Sequence, residues 1–184
     1  MVAFAHNQPA AGGVRKDIMQ DSPLLTTLHA LLAQHHATLR GLSGDFSKLV
    51  GGVQDEKLTS CLEGYLDRVT DELREAERLL RQRQLKPQTA ADKAITCLVA
   101  EAGAAQDMDV PSEVIDVLLA RVFLRIQHCQ IASLEVLQTL AEVLEERELI
   151  VFARDSLGAE IEGEETLSAL VENELASNAA NASA

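Results

Sequence analysis

Residues 111–144 read PSEVIDVLLARVFLRIQHCQIASLEVLQTLAEVL, the longest uninterrupted helical pattern in the chain and its most apolar. Pro111 and Ser112 mark the start, because proline ends the preceding segment and serine is a common N-cap. Apolar residues recur every three or four positions, at Ile115, Leu118, Val122, Ile126, Cys129, Val136, Leu140 and Leu144. A second apolar set widens this stripe past half of the circumference, which is typical of a helix surrounded by other helices. At 1.5 Å per residue, the segment predicts a central helix roughly 50 Å long.

Three further amphipathic segments are long enough to pack around that helix. The first begins at Ser22-Pro23 and is expected to end near Gly41 to Gly44, with a turn region over residues 46–52. The second covers about 55–84 and the last about 147–175, with Ile161 among its inward positions. A shorter helix over about 90–104 follows Pro87 and leads into the central segment.

These segments predict an all-α protein, an up-down four-helix bundle whose long crossover carries a short extra helix. Hydrophobic residues make up 47% of the 184, with four phenylalanines, one tyrosine and no tryptophan, which favours helices packed through aliphatic side chains. We expect a flexible N-terminal arm over residues 1–20, the bundle over 21–176 and a disordered tail over 177–184.

The charge balance and the cysteines limit the partners and the compartment. A net charge of −13 repels phosphate backbones, so we expect no nucleic-acid partner. Arg121 and Arg125 interrupt the best candidate for a membrane span, so we expect no membrane association. The N-terminal stretch lacks the apolar run of a signal peptide, and the three separated cysteines form no C-x-x-C motif. We therefore expect a cytoplasmic protein with reduced, buried cysteines.

Polar side chains interrupt the apolar stripe near the middle of each long segment. They are His35, Glu72, Gln130, and the pair Glu160 and Glu164, one turn apart. A buried carboxylate is costly unless it is paired, hydrogen-bonded or bound to a metal. Inward carboxylates and imidazoles build di-metal sites in helical bundles, so one interpretation is a metal centre of His35, Glu72, Glu160 and Glu164. The other is a hydrogen-bonded polar layer in which His35 bonds Glu72 or a glutamate of the last helix.

The segment IQHCQIAS, residues 126–133, resembles the third bundle helix of the YciF/YciE-type ferritin-like family. The similarity extends over about residues 23–175, including the short helix and the acidic last helix AEIEGEETLSALVE. The resemblance implies a ferritin-like bundle, a homodimer, and a stress-associated bacterial protein whose metal-binding relatives carry a di-metal carboxylate site.

Carried over residue by residue, the implied site has lost most of its acids. Gln127 and Gln130 stand where the family motif has glutamates, and only His128 of that motif remains, on the Arg121/Arg125 side of the helix. Arg68 and Val69 replace a glutamate and a threonine of the second helix, Glu72 stands at its histidine position, and His35 occupies the first helix's glutamate position. Glu160 and Glu164 are the acids that the last helix retains.

Neutral amides cannot balance two divalent cations, and a guanidinium repels them. We therefore expect a non-catalytic bundle without a cofactor that acts by assembly or by binding a partner. The alternative is a remodelled single-metal site at His35, Glu72, Glu160 and Glu164, holding iron, manganese or zinc for metal handling or peroxide chemistry.

Overall fold

The computed structural model describes residues 22–182, apart from the side chains of residues 47–49. The five main helices are α1 (Pro23–Val50), α2 (Glu56–Gln82), α3 (Lys93–Gln106), α4 (Ser112–Val143) and α5 (Arg147–Leu170). A π-helical turn, Val171–Leu175, leads into a short α6, Ala176–Ala182. Within the described residues every element is helical, as the sequence predicts.

Local chemistry sets several helix ends. The Asp55 carboxylate accepts hydrogen bonds from the backbone N–H groups at the start of α2, and Asp92 does the same for α3. Gln84 and Glu145 take positive φ values of 54° and 58° just past the ends of α2 and α4. At each end the following residue donates its N–H back across the last helical turn, a common way to satisfy orphan carbonyls.

The long helices form a bundle with one crossover. The α1 and α2 helices run antiparallel, since Phe46 packs against Tyr65 near one end while His35 meets Glu72 near the middle. The Asp116 carboxylate of α4 accepts hydrogen bonds from the backbone N–H groups of Gln54 and Asp55, so α4 begins beside the start of α2.

The start of α5 lies at the other end of the bundle. The Arg83 guanidinium, just past the end of α2, contacts Glu146 and Glu148 there at 3.2 and 3.5 Å. The chain between α2 and α4 therefore travels the length of the bundle, and α3 is the short helix within that crossover.

The α4 helix is the centre of the core, as its apolar pattern indicates. Leu119, Phe123, Ile126, Leu134 and Leu137 are fully or almost fully buried along it. The pattern overestimates the width of the buried face at single positions, because Val136 is 50% exposed and Ile161 on α5 is 40% exposed, although both were expected to point inward. Cys97 is exposed as well, and Cys61 and Cys129 are only partly buried, so the expectation of three buried cysteines is wrong.

The predicted end of the first helix at Gly41 to Gly44 is wrong. The α1 helix continues through both glycines to Val50, so residues 46–50 are helical rather than a turn. Each glycine costs a helix interior about 1 kcal/mol relative to alanine. Burying Phe46 against Phe123 and Tyr65 offsets that cost, since a buried phenylalanine contributes roughly 2–3 kcal/mol.

Near the C-terminus the helical path also continues past the expected end of the bundle at residue 176, through α6 to Ala182. The predicted flexible arm over residues 1–20 lies outside the described residues. No helix among residues 22–182 is long and apolar enough to cross a membrane.

Candidate functional site

A layer of polar side chains crosses the middle of the bundle, between apolar residues above and below it. We call it the polar layer; its members are His35 of α1, Tyr65, Arg68 and Glu72 of α2, Gln127 and Gln130 of α4, and Glu160 of α5. Each long helix contributes at least one of them. The layer contains most of the residues that sequence reasoning placed on the apolar stripes.

His35 and Glu72 form the layer's closest hydrogen bond. Nε2 of His35 lies 2.7 Å from Oε1 of Glu72, and the two side chains are only 4% and 11% exposed. The ring of Phe152 on α5 packs edge-on against the imidazole, with the ring centroids 6.0 Å apart. The pair therefore joins α1 to α2 in a water-poor environment, where a hydrogen bond between ionisable groups is strong and its loss costly.

Glu160 is the most strongly perturbed acid of the layer. Burial raises the pKa of its carboxyl from 4.5 to about 8, and the nearby charge of Glu72 adds to the increase, while Arg68 and the Tyr65 hydroxyl oppose it. Burial likewise raises the pKa of Tyr65 well above its ordinary value, and the charge of Glu160 adds to it. Neither the Tyr65 hydroxyl nor Oε2 of Glu160 has a partner at ordinary hydrogen-bonding geometry. At neutral pH the folded protein thus holds Glu160 mainly in its neutral form.

Arg68 enters the same layer because α5 has no side chain at Gly163. A Cβ added to Gly163 would lie 2.5 Å from Nη2 of Arg68 and 2.7 Å from Nε2 of Gln127. The guanidinium also lies over the Tyr65 ring, 5.6 Å from the centroid. Gly163 therefore lets a cation and an amide occupy space that any other residue would fill.

The two glutamines of α4 complete the layer from the other side. Gln127 is 3% exposed and Gln130 1% exposed. Oε1 of Gln127 and Nε2 of Gln130 have no hydrogen-bond partner among the described residues. Buried polar atoms are normally hydrogen-bonded, so these two atoms make the layer costly to bury.

The fourth residue of the predicted metal set lies apart from the other three. Glu164 accepts a hydrogen bond from Ser168 at 2.9 Å and lies 3.3 Å from Nε2 of His128, whose side chain is 65% exposed. His128 borders the groove that Arg121 and Arg125 also line, on the side where the sequence placed it. Residues 22–182 contain no group of three or more histidine, cysteine or acidic side chains arranged to hold a metal ion.

Comparison with known proteins identifies the family. A sequence model of a protein family, described as "Domain of unknown function (DUF892)", matches residues 24–180. The chain belongs to the DUF892 family. This confirms the YciF-type membership that the IQHCQIAS segment indicated.

Two solved structures of other proteins have a similar fold. The Escherichia coli stress protein YciF is 23% identical, with a TM-score of 0.77 over 83% of this chain and 96% of YciF. YcfI from Rhodopseudomonas palustris is 18% identical, with a TM-score of 0.74 over 80% of this chain and 94% of YcfI. These matches confirm the ferritin-like bundle. No curated protein matches the chain.

The sequence analysis does not single out two residues of this site, Tyr65 and Gly163. The Tyr65 hydroxyl faces Glu160. Gly163 lies within α5 and leaves room for Arg68 and Gln127. A glycine in a helix interior is unfavourable by about 1 kcal/mol, so its presence there was the available signal of a close approach by another group.

Proposed function

We propose that this DUF892 protein is a non-catalytic ferritin-like bundle that has lost the di-metal site of its family and acts by assembly or partner binding. The observation that carries the proposal is the position of Arg68. Its guanidinium lies with the Gln127 amide against Gly163, in the middle of the bundle. A di-metal centre in such a bundle requires carboxylates from the facing helices.

The donor set of the polar layer does not fit two divalent cations. His35, Glu72 and Glu160 are residue types that bind metals, but α4 contributes only the amides of Gln127 and Gln130. Amides are neutral and weak ligands for iron or manganese. The positive charge of Arg68 further disfavours a second cation in the same low-dielectric space. A hydrogen-bonded polar layer, one of the two interpretations of the sequence, agrees with this donor set.

One observation favours the rival function, a single-metal site. Oε2 of Glu160 is buried without a partner, and the raised pKa of this carboxyl marks it as a group that would gain from a nearby cation. A single ion of iron, manganese or zinc would then use His35, Glu72 and Glu160, while Glu164 lies with His128. Such a site would support metal handling or peroxide chemistry.

The biological setting is proposed on the family likeness. YciF is described as a stress protein, and we extend a stress-associated role to this chain on that basis. The homodimer is proposed from the family resemblance, and the cytoplasmic location from the three separated cysteines without a C-x-x-C motif. Neither a nucleic acid nor a membrane is part of the proposal, because the net charge of −13 opposes anionic surfaces.

One preparation of the full chain, purified without chelators, tests this function. We expect far less than one equivalent of iron, manganese or zinc per chain by mass spectrometry of metals, no calorimetric signal on titration with Mn²⁺, and a dimer by light scattering. Two equivalents of metal would overturn the proposal, and a monomer would exclude self-assembly as its mode of action and leave partner binding. One equivalent that is lost in Glu160→Gln but kept in Glu164→Gln would establish the single-ion rival instead.

A further inference from the structure

A groove lies between α1, the last turns of α2 and the segment that follows α2. Its volume is about 310 Å³, roughly ten times the share of one water molecule in the liquid. Its apolar lining consists of Leu80, Leu85 and Pro87, and its polar lining consists of His36, Arg40, Glu77 and Arg81. The groove thus places a short apolar surface beside charged groups at the edge of the bundle.

His36 is a buried polar side chain that forms no hydrogen bond with the other described residues. It is 3% exposed, and its Nδ1 is fully enclosed without a partner. Its Nε2 lies 3.7 Å from Oε1 of Glu77, which is too long for a hydrogen bond. Because Nδ1 is the enclosed nitrogen of this ring, Nε2 is the one that an acceptor in the groove can reach.

The carboxylate of Glu77 lies between this imidazole and a guanidinium without bonding closely to either. Its Oε2 is 3.8 Å from Nη2 of Arg81, and the side chains of Glu77 and Arg81 are 46% and 76% exposed. Water competes for such contacts, so they hold the Glu77 side chain only weakly. The space between His36 and Arg81 is therefore complementary to a carboxylate, and the one that the chain itself places there is easily displaced.

Arg40 brings a second guanidinium to the groove. It donates to the backbone carbonyl of Gln88 at 3.4 Å and forms no ion pair among the described residues. Guanidinium groups match the two oxygens of a carboxylate with paired N–H donors. Since the net charge of −13 repels anions from the molecule as a whole, the local positive charge of Arg40 and Arg81 favours this groove over the rest of the surface.

We propose that this groove binds a small monocarboxylate with a short branched apolar chain. The carboxylate takes the place of the Glu77 side chain and accepts hydrogen bonds from Nε2 of His36 and from the two guanidinium groups. The apolar chain packs against the apolar lining of the groove. The site goes beyond the proposed function, because it requires neither the presence nor the absence of a metal in the polar layer.

The test compares isovalerate with isovaleramide, which has the same shape without the charge, and with inorganic phosphate, which has charge without the apolar chain. Nuclear magnetic resonance of the ¹⁵N-labelled full chain follows the backbone amides of Leu85 and Gln88 at pH 7 and constant ionic strength. We expect saturable shifts with isovalerate and a Kd in the millimolar range, as befits a ligand of seven heavy atoms. Isovaleramide and phosphate should each bind at least fivefold more weakly.

A matched pair of variants assigns the binding to the groove. Arg81→Gln and Arg74→Gln each remove one positive charge from the same face of α2, since the two residues are seven positions apart, but only Arg81 lines the groove. Both side chains are more than 70% exposed, so neither change disturbs the core. Arg81→Gln should weaken isovalerate binding at least threefold, while Arg74→Gln should leave its Kd unchanged.

Glu77→Gln gives the opposite expectation, which damage to the fold would not produce. It removes the competing carboxylate and its repulsion, so isovalerate should bind at least threefold more tightly. The proposal is overturned if isovalerate gives no saturable shift, if isovaleramide or phosphate binds equally well, if Arg74→Gln weakens binding as much as Arg81→Gln, or if Glu77→Gln leaves the Kd unchanged.

Discussion

Two of the histidine–glutamate pairs that join neighbouring helices of this bundle have opposite surroundings. His35 and Glu72 lie 2.7 Å apart with side chains 4% and 11% exposed, whereas His128 and Glu164 lie 3.3 Å apart with side chains 65% and 25% exposed. Water competes for the second pair and screens its charges, so such pairs usually contribute less than 1 kcal/mol. Around the first pair, a buried charge or hydrogen-bonding group that loses its partner destabilises the fold strongly.

The types of the two residues alone therefore do not determine how much a histidine–glutamate pair contributes to the free energy of unfolding. Glu160 and Glu164 are one turn apart on α5, yet Glu160 is 3% exposed and faces Tyr65, while Glu164 reaches His128 and Ser168 near the surface. Glu160 is therefore a buried, neutral acid, while Glu164, one turn later and at the edge of the apolar stripe, lies near solvent. The expected effects of substitution differ accordingly.

The largest effect is expected from Glu160→Gln, measured as the pH dependence of the free energy of unfolding. Because the pKa of Glu160 is about 8 in the folded protein and 4.5 ordinarily, the folded state binds more protons between these values. The wild-type protein therefore loses stability as pH rises from 4.5 to 8, by up to about 1.4 kcal/mol per pH unit from this group. The glutamine variant lacks that loss, so its advantage should grow with pH to roughly 3–4 kcal/mol at pH 8.

Glu164→Gln is the control and should change the free energy of unfolding by less than about 0.5 kcal/mol throughout. Denaturant titrations from pH 5 to 8 measure both variants against wild type. A constant difference between Glu160→Gln and wild type over this range would show that the acid is not held neutral.

The next largest effect on the free energy of unfolding is expected from replacing each histidine of the two pairs. His35→Leu removes the partner of Glu72 and leaves that carboxylate beside Glu160, which should cost about 3 kcal/mol at pH 7. His128→Leu removes only a solvent-exposed contact and should change stability by less than about 0.5 kcal/mol. Denaturant midpoints of the two variants give the comparison directly, and equal losses would remove the distinction between the buried and the exposed pair.

Much of the architecture follows from sequence periodicity. The apolar pattern of residues 111–144 located the central helix to within a residue at each end, because a helix buried on most sides leaves a broad and long signal. The C-terminal end of α1 was less predictable than its start, since the signal of Gly41 and Gly44 is local while the contacts of Phe46 with Phe123 and Tyr65 are made between distant parts of the chain. Tertiary packing decided that boundary.

The sequence predicts several members of the candidate site and offers the pairing of His35 with Glu72, but not the pairing of Glu164 or the position of Arg68. Stripe positions placed His35, Glu72, Gln130 and Glu160 inside, and the structure brings them into one layer. The outward turn of Glu164 depends on the rotation of α5 against α4, to which a stripe-edge residue is most sensitive. The position of Arg68 depends on the missing side chain of Gly163, a relation between two helices that no pattern within one helix contains.

The smallest expected effect, and the one that tests the charge within the layer, compares two glycines of α5. Gly158→Ala places a methyl group where no atom beyond the adjoining residues and backbone of its own helix lies within 4 Å, and it should stabilise the protein by roughly 1 kcal/mol, the difference in helix propensity. Gly163→Ala gains the same propensity but must displace the Arg68 guanidinium and the Gln127 amide, so we expect a net loss of about 1 kcal/mol. Both changes are measured by urea denaturation at pH 7. If Gly163→Ala stabilises the protein as much as Gly158→Ala does, Arg68 is not held against α5, and no fixed cation takes the place of a metal at the centre of this bundle.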